Sequence, residues 1–127
     1  MRIVAYPFAF FAVLASAQTW EEEKVDEAFT NWLTEILSTE KYYSETMTER
    51  ACWSSVSSVK TQLLANGRNY CVHMQGCLSE SLGISESLVG HCSESCQPND
   101  YVLKYYFAAW ENVFNITSIK PANMGDC

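Results

Sequence analysis

The segment Thr46–Gly67, TMTERACWSSVSSVKTQLLANG, is the stretch on which the fold class turns. Cys52, Val56, Val59 and Leu63 recur at intervals of three to four residues, the spacing of one helix face, with Trp53 and Leu64 on its flank. Thr46 with Glu49 three residues later fits a capping box, and Asn66-Gly67 fits a helix stop. Ser54, Ser55, Ser57 and Ser58 fill most other positions. Serine is a poor helix former, but periodicity and end signals outweigh it, and the segment reads as a helix.

Working outward, Cys71–Cys96, CVHMQGCLSESLGISESLVGHCSESC, carries four of the six cysteines as C-x5-C, fourteen residues, then C-x3-C. It reads as two short helices. The first, from about residue 69 to 79, turns Cys71, Met74, Cys77 and Leu78 inward. The second follows the break at Gly83 and a Ser85 cap, with Ile84, Leu88 and Val89 facing inward toward Cys92. Gln97-Pro98-Asn99-Asp100 is a turn, since proline cannot sit inside a helix while Asn99 or Asp100 can cap one. The run from Tyr101 to Phe114 then reads as a last helix, apolar over more than half its circumference. Upstream, Thr19 and Glu22 form a capping box, and Val25, Phe29, Trp32, Leu33, Ile36 and Leu37 make one apolar stripe. Alternating strand patterns are nearly absent. The fold class expected is all-α, a small disulfide-stapled bundle of four to five helices.

Residues 1–17 read as a signal peptide: Arg2, an apolar run from Ile3 to Ala15, and the small-x-small site Ala15-Ser16-Ala17. The run falls short of the ~20 residues of a membrane span, so no span is expected. Residues 18–127 are then a single secreted helical domain. An even six cysteines in a secreted chain imply three disulfides, using Cys52, Cys71, Cys77, Cys92, Cys96 and Cys127. Spacing leaves the pairing open, with Cys71 or Cys77 joined to Cys92 or Cys96 and Cys52 and Cys127 taking the others. A zinc site would want C-x2-C or Cys/His finger spacing, which the chain lacks, and no metal is expected. Without Arg2 the chain holds seven basic and fifteen acidic side chains, a net of −8, which disfavours nucleic acid as a partner.

Catalytic signatures are missing. The chain has no G-x-S-x-G, no H-E-x-x-H and no glycine-rich phosphate loop. His73 and His91 stand close to cysteines, but an oxidised cysteine offers no thiolate. A carboxylate pair such as Glu80 and Glu86 has only the marks of exposed glutamates. Asn115-Ile116-Thr117 is an N-glycosylation sequon, which places Asn115 at the surface.

The run LVGHCSESCQPNDYVLKYYFAAW, residues 88–110, resembles the tail of the fungal extracellular CFEM domain, with an apolar helix, two close cysteines, an acidic residue and another helix. The resemblance implies a helical, disulfide-knit protein of a family that includes haem carriers and effector-like factors. That family has eight cysteines and a C-x-C with an aspartate before it; this chain has six cysteines, C-x5-C, and no aspartate between Asp26 and Asp100. Haem binding therefore does not carry over, and no cofactor is expected.

The function expected is binding rather than catalysis: a secreted, effector-like interaction protein whose anchors on the last helix are Tyr101, Tyr105, Tyr106 and Trp110. The alternative is an extracellular carrier of a small apolar ligand, with Phe29, Trp32 and Phe107 joining Trp110 around a cavity. A second alternative, a small secreted hydrolase, would need a histidine and a carboxylate converging in a cleft. The partner is thus an unknown extracellular protein or a small apolar molecule.

Overall fold

The computed structural model describes residues 19–80, 89–125 and 127. The expected signal peptide, residues 1–17, and the expected second short helix up to Leu88 lie outside these residues, while the end of that helix, toward Cys92, holds the short strand Gly90–His91 instead. The described chain is mainly antiparallel sheet, which corrects the all-α expectation. Its elements are β1 (Glu21–Glu23), α1 (Glu27–Ser38), a 3₁₀ turn (Glu40–Tyr42), β2 (Glu49–Leu64), β3 (Gly67–Glu80), β4 (Gly90–His91), β5 (Asn99–Ala108) and β6 (Val113–Pro121). The strands run in the order β1-β2-β3-β5-β6, and every neighbouring pair is antiparallel. The free edge of β2 is shared, with β1 on residues 59–61 and β4 in parallel on Cys52 and Trp53.

The supposed helix 46–67 is β2, and two β-bulges explain the misleading period. The pairing of β2 with β3 slips between Trp53 and Ser55 and again between Val56 and Ser58, leaving Ser54 and Ser57 as extra residues. Ala51, Trp53, Val56 and Val59 all pack toward the core, so the usual interval of two widens to three at each bulge. The bulging serines have a use. Ser54 Oγ donates to the Gln75 carbonyl at 3.0 Å and Ser57 Oγ to the His73 carbonyl at 3.0 Å. Opposite the first bulge stands Gly76, where a Cβ would come within 2.0 Å of the Cys52 carbonyl oxygen.

In β3 the alternation is regular. Tyr70, Val72, Met74 and Leu78 face the core, while Cys71, His73, Gln75 and Cys77 take the other side. Residues 101–114, the supposed last helix, are most of β5, a turn and the first residues of β6, with Tyr101, Leu103 and Tyr105 inward. The apolar excess of β5 reflects a strand covered on both faces: Val102 points outward yet is buried, with Gly125 of the C-terminal tail against it. Residues 88–110 thus hold two strands and no helix among those described, so the likeness to the CFEM tail fails on architecture.

One expected helix forms and buries part of its stripe, although Val25 lies ahead of it and Trp32 is half-exposed. α1 starts at Asp26, whose carboxylate caps the Phe29 N–H at 2.9 Å, and it lays Leu33, Ile36 and Leu37 on the sheet. The glutamates before it form β1 instead of a first helical turn. Around the helix the core gathers Tyr43, Ala51, Val59, Val72, Met74, Leu103, Tyr105 and Ile116. Tyr43 is buried and polar at its tip; its hydroxyl donates to the Leu37 carbonyl at 2.6 Å and accepts the Ala51 N–H at 3.2 Å. Arg50 lies over the Tyr43 ring at 4.3 Å and pairs with Glu40.

Three disulfides close the molecule: Cys52–Cys92, Cys71–Cys127 and Cys77–Cys96. The first and third fix residues 92–96 against the β2–β3 hairpin, and the second holds the C-terminal residue on the outer face of β3. No described helix is long and apolar enough to cross a membrane.

Candidate functional site

Strand direction brings three segments to one end of the sheet. β2 and β3 are joined by Ala65 and Asn66, with Leu64 paired to Gly67. Because β5 is antiparallel to β3, its last residue Ala108 lies opposite Gly67, and the β5–β6 turn, residues 109–112, stands beside the first turn. A hydrogen bond joins them: the Ala109 N–H donates to the Asn66 carbonyl at 3.0 Å. The second turn is closed by the Asn112 N–H on the Ala108 carbonyl at 2.8 Å, with Asn112 at φ 54°, a region that asparagine tolerates. β1 pairs Glu21 with Thr61, so Thr19 and Trp20 enter from the same end.

The side chains at this end are unusual for a surface. Trp110, in the second turn, is 85% exposed, and Leu63, just before the first, is 54% exposed. Large exposed apolar groups grouped at one place mark interaction sites more than isolated ones do. The strands behind them are braced by polar contacts. Glu23 accepts from Arg68 and from Thr61, each at 3.2 Å, and Asn69 donates to Gln62 at 3.0 Å. The arrangement is a braced end of the sheet with Trp110 and Leu63 left exposed.

The structure does not gather the four anchors expected on one helix face. Tyr101 and Tyr105 lie on the inner face of β5, Tyr106 lies half-buried on the outer face, and Trp110 is in the turn. Tyr105 is 2% exposed, and burial drives its hydroxyl pKa far above the usual tyrosine value. The alternative set is closer together. Phe29, Trp32 and Phe107 line one open-sided cleft of about 270 Å³ between α1 and the sheet, with Tyr105 and Phe114 in its wall and Trp110 outside it. Leu63 and the Ala65–Asn66 turn were missed by the sequence reading. The signal for them was Asn66-Gly67, which can mark a hairpin as well as a helix end.

The histidines have structural surroundings. His91 packs on Trp53 with ring centroids 4.5 Å apart, and His73 Nε2 lies 3.6 Å from Cys127 Sγ. Two sulfur-rich groups, Cys52/Cys92/Cys96 and Cys71/His73/Cys127, are compact enough to hold a metal, but their sulfurs are spent in disulfides. Asn115 is exposed on β6, and Thr117 Oγ1 donates to the Lys104 carbonyl at 3.2 Å.

No family model matches the chain. It is similar to a protein of Phytophthora infestans named cystatin-like cysteine protease inhibitor EPIC4, 29% identical over 126 residues, covering 93% of this chain and 69% of the relative. The same named protein from strain T30-4 matches equally. Among solved structures, a salivary cystatin from the soft tick Ornithodoros moubata superposes with a TM-score of 0.53 at 19% identity, covering 81% of this chain and 95% of the tick protein. The fold is therefore cystatin-like, and this likeness, spanning most of the chain, replaces the resemblance to the CFEM domain. The Phytophthora relative is named for inhibition and not for catalysis, and three disulfides suit an extracellular setting.

Proposed function

We propose that this chain is a secreted, non-catalytic inhibitor of a cysteine protease, docking by the turn end of its sheet. Residues 1–17 serve as the signal peptide, residues 18–127 are one domain, and Asn115 carries the glycan. The observation that carries the reading is the Ala109–Asn66 hydrogen bond, which holds the two turns side by side while Trp110 stands 85% exposed. A turn fixed before docking loses little entropy on docking, and tryptophan is the side chain most enriched among strong interface anchors. The name of the Phytophthora relative and the cystatin-like fold support the choice of partner.

The test is a titration of papain and other cysteine proteases with the secreted protein, followed by hydrolysis of a fluorogenic peptide. Reversible inhibition is expected, weakened about 30-fold by Trp110→Ala, the size of a ~2 kcal/mol anchor. The melting temperature of that variant stays where it was, because the ring packs on little. Proteases left fully active at micromolar protein, or serine proteases inhibited equally well, would sink the reading.

A further inference from the structure

The cleft between α1 and the sheet is not part of the turn end, although Asn112 reaches its rim. Aromatic rings dominate its wall: Phe114 meets Trp32 at 5.9 Å, Tyr105 at 5.8 Å and Phe107 at 4.9 Å between centroids, and Tyr70 stacks on Tyr105 at 4.7 Å. At about 270 Å³ it exceeds the ~150 Å³ cavity that takes up benzene and falls below the ~300–1,000 Å³ of drug-sized pockets. One or two rings fit.

A second observation comes from Tyr105. The residue is 2% exposed and lines the cleft, its hydroxyl hydrogen-bonds to no other described residue, and that oxygen is not among the fully buried polar atoms without a partner, so it keeps some exposure. The contrast with Tyr43 is sharp, since that buried hydroxyl both donates and accepts. With no acceptor supplied by the described residues, the hydroxyl is left to water or to a ligand in the cleft, where one polar group in an apolar wall fixes a ligand's orientation. Because burial drives its pKa far up, the hydroxyl keeps its proton and remains a donor through the physiological range.

We propose that this cleft binds a small planar molecule of one or two rings, stacked among Trp32, Phe107 and Phe114, with a hydrogen-bond acceptor on the Tyr105 hydroxyl. The proposal does not depend on protease inhibition, and its test uses no protease. The secreted full chain is titrated with 2-naphthol and, separately, with naphthalene, following tryptophan fluorescence and proton NMR shifts. Saturable one-to-one binding is expected for both. Tyr105→Phe, which removes one oxygen and no bulk, weakens 2-naphthol about three- to tenfold and leaves naphthalene unchanged, the range of one hydrogen bond. Trp32→Ala, at a half-exposed position, weakens both. No saturable binding by the folded chain would overturn the proposal, as would a Tyr105→Phe loss equal for the two probes. Concentration-dependent self-association abolished by Trp32→Ala, without probe binding, would give the cleft to a second copy and overturn it too.

Discussion

Trp53 on β2 donates its indole N–H to the Thr34 hydroxyl on α1 across 2.9 Å, and Thr34 passes its own proton to the Thr30 carbonyl at 3.0 Å. The helix is therefore tied to the sheet by a directional bond as well as by its apolar stripe. Thr34→Val keeps the shape and removes the acceptor, leaving a partly buried indole N–H unpaired. A loss of about 1–2 kcal/mol is expected, read in urea as a lower midpoint with an unchanged slope.

Gly90 meets the same helix from the other direction. Its φ is +77°, and a Cβ there would lie 2.3 Å from Ser38 Oγ. Gly90→Ala is expected to cost more than the ~1–2 kcal/mol of left-handed backbone alone, because the clash adds to it. Adding Ser38→Ala recovers the steric part only. Thermal melts of the single and double variants separate the two contributions.

Stability should fall on the alkaline side. Burial pushes the Tyr43 hydroxyl up to about 12, and Tyr105 is raised for the same reason. In the unfolded chain a tyrosine ionises near ~10, so the unfolded state releases protons first as pH rises. The stabilisation from keeping these groups neutral is present below pH ~10 and is lost from there upward, through about 12 for Tyr43. Tyr43→Phe flattens that decline in chemical denaturation between pH 9 and 12. On the acid side the hydrogen bond from Arg50 holds the Glu40 carboxyl below its usual value, so its contribution is present above pH ~4.5 and disappears as pH drops further. Glu40→Gln removes that acid step.

The disulfides should rank by loop length. Cys71–Cys127 spans 56 residues and Cys77–Cys96 spans 19. Chain entropy then makes Cys71→Ala/Cys127→Ala the more damaging pair by about 1 kcal/mol. Its sulfurs also lie over the outer face of the sheet, where Cys71 is fully buried. Denaturant midpoints of the two double variants check the order.

The α1 stripe was legible because nothing interrupts its period between Phe29 and Leu37. The β2 pattern was not. With Ser54 and Ser57 inserted as bulges, Trp53, Val56 and Val59 fall three apart, an interval shared with helices. In β5, Tyr101, Leu103 and Tyr105 do alternate, but buried Val102 between them erases the contrast on which a strand reading depends. Trp110 stood out as a possible anchor. Its neighbours at the turn end, Leu63 and Asn66, lie over forty residues earlier in the chain and became neighbours only through strand pairing.

By itself the sequence determined what local chemistry can encode: an amphipathic helix, an acidic chain, a cysteine count calling for covalent closure, and a lack of catalytic motifs. Tertiary structure decided which segments became strands, which cysteines met, and which aromatic rings were buried or left bare. The reason is that a strand has no hydrogen-bond partners within itself. Its identity, its register and the two turns it brings together exist only once distant parts of the chain have paired.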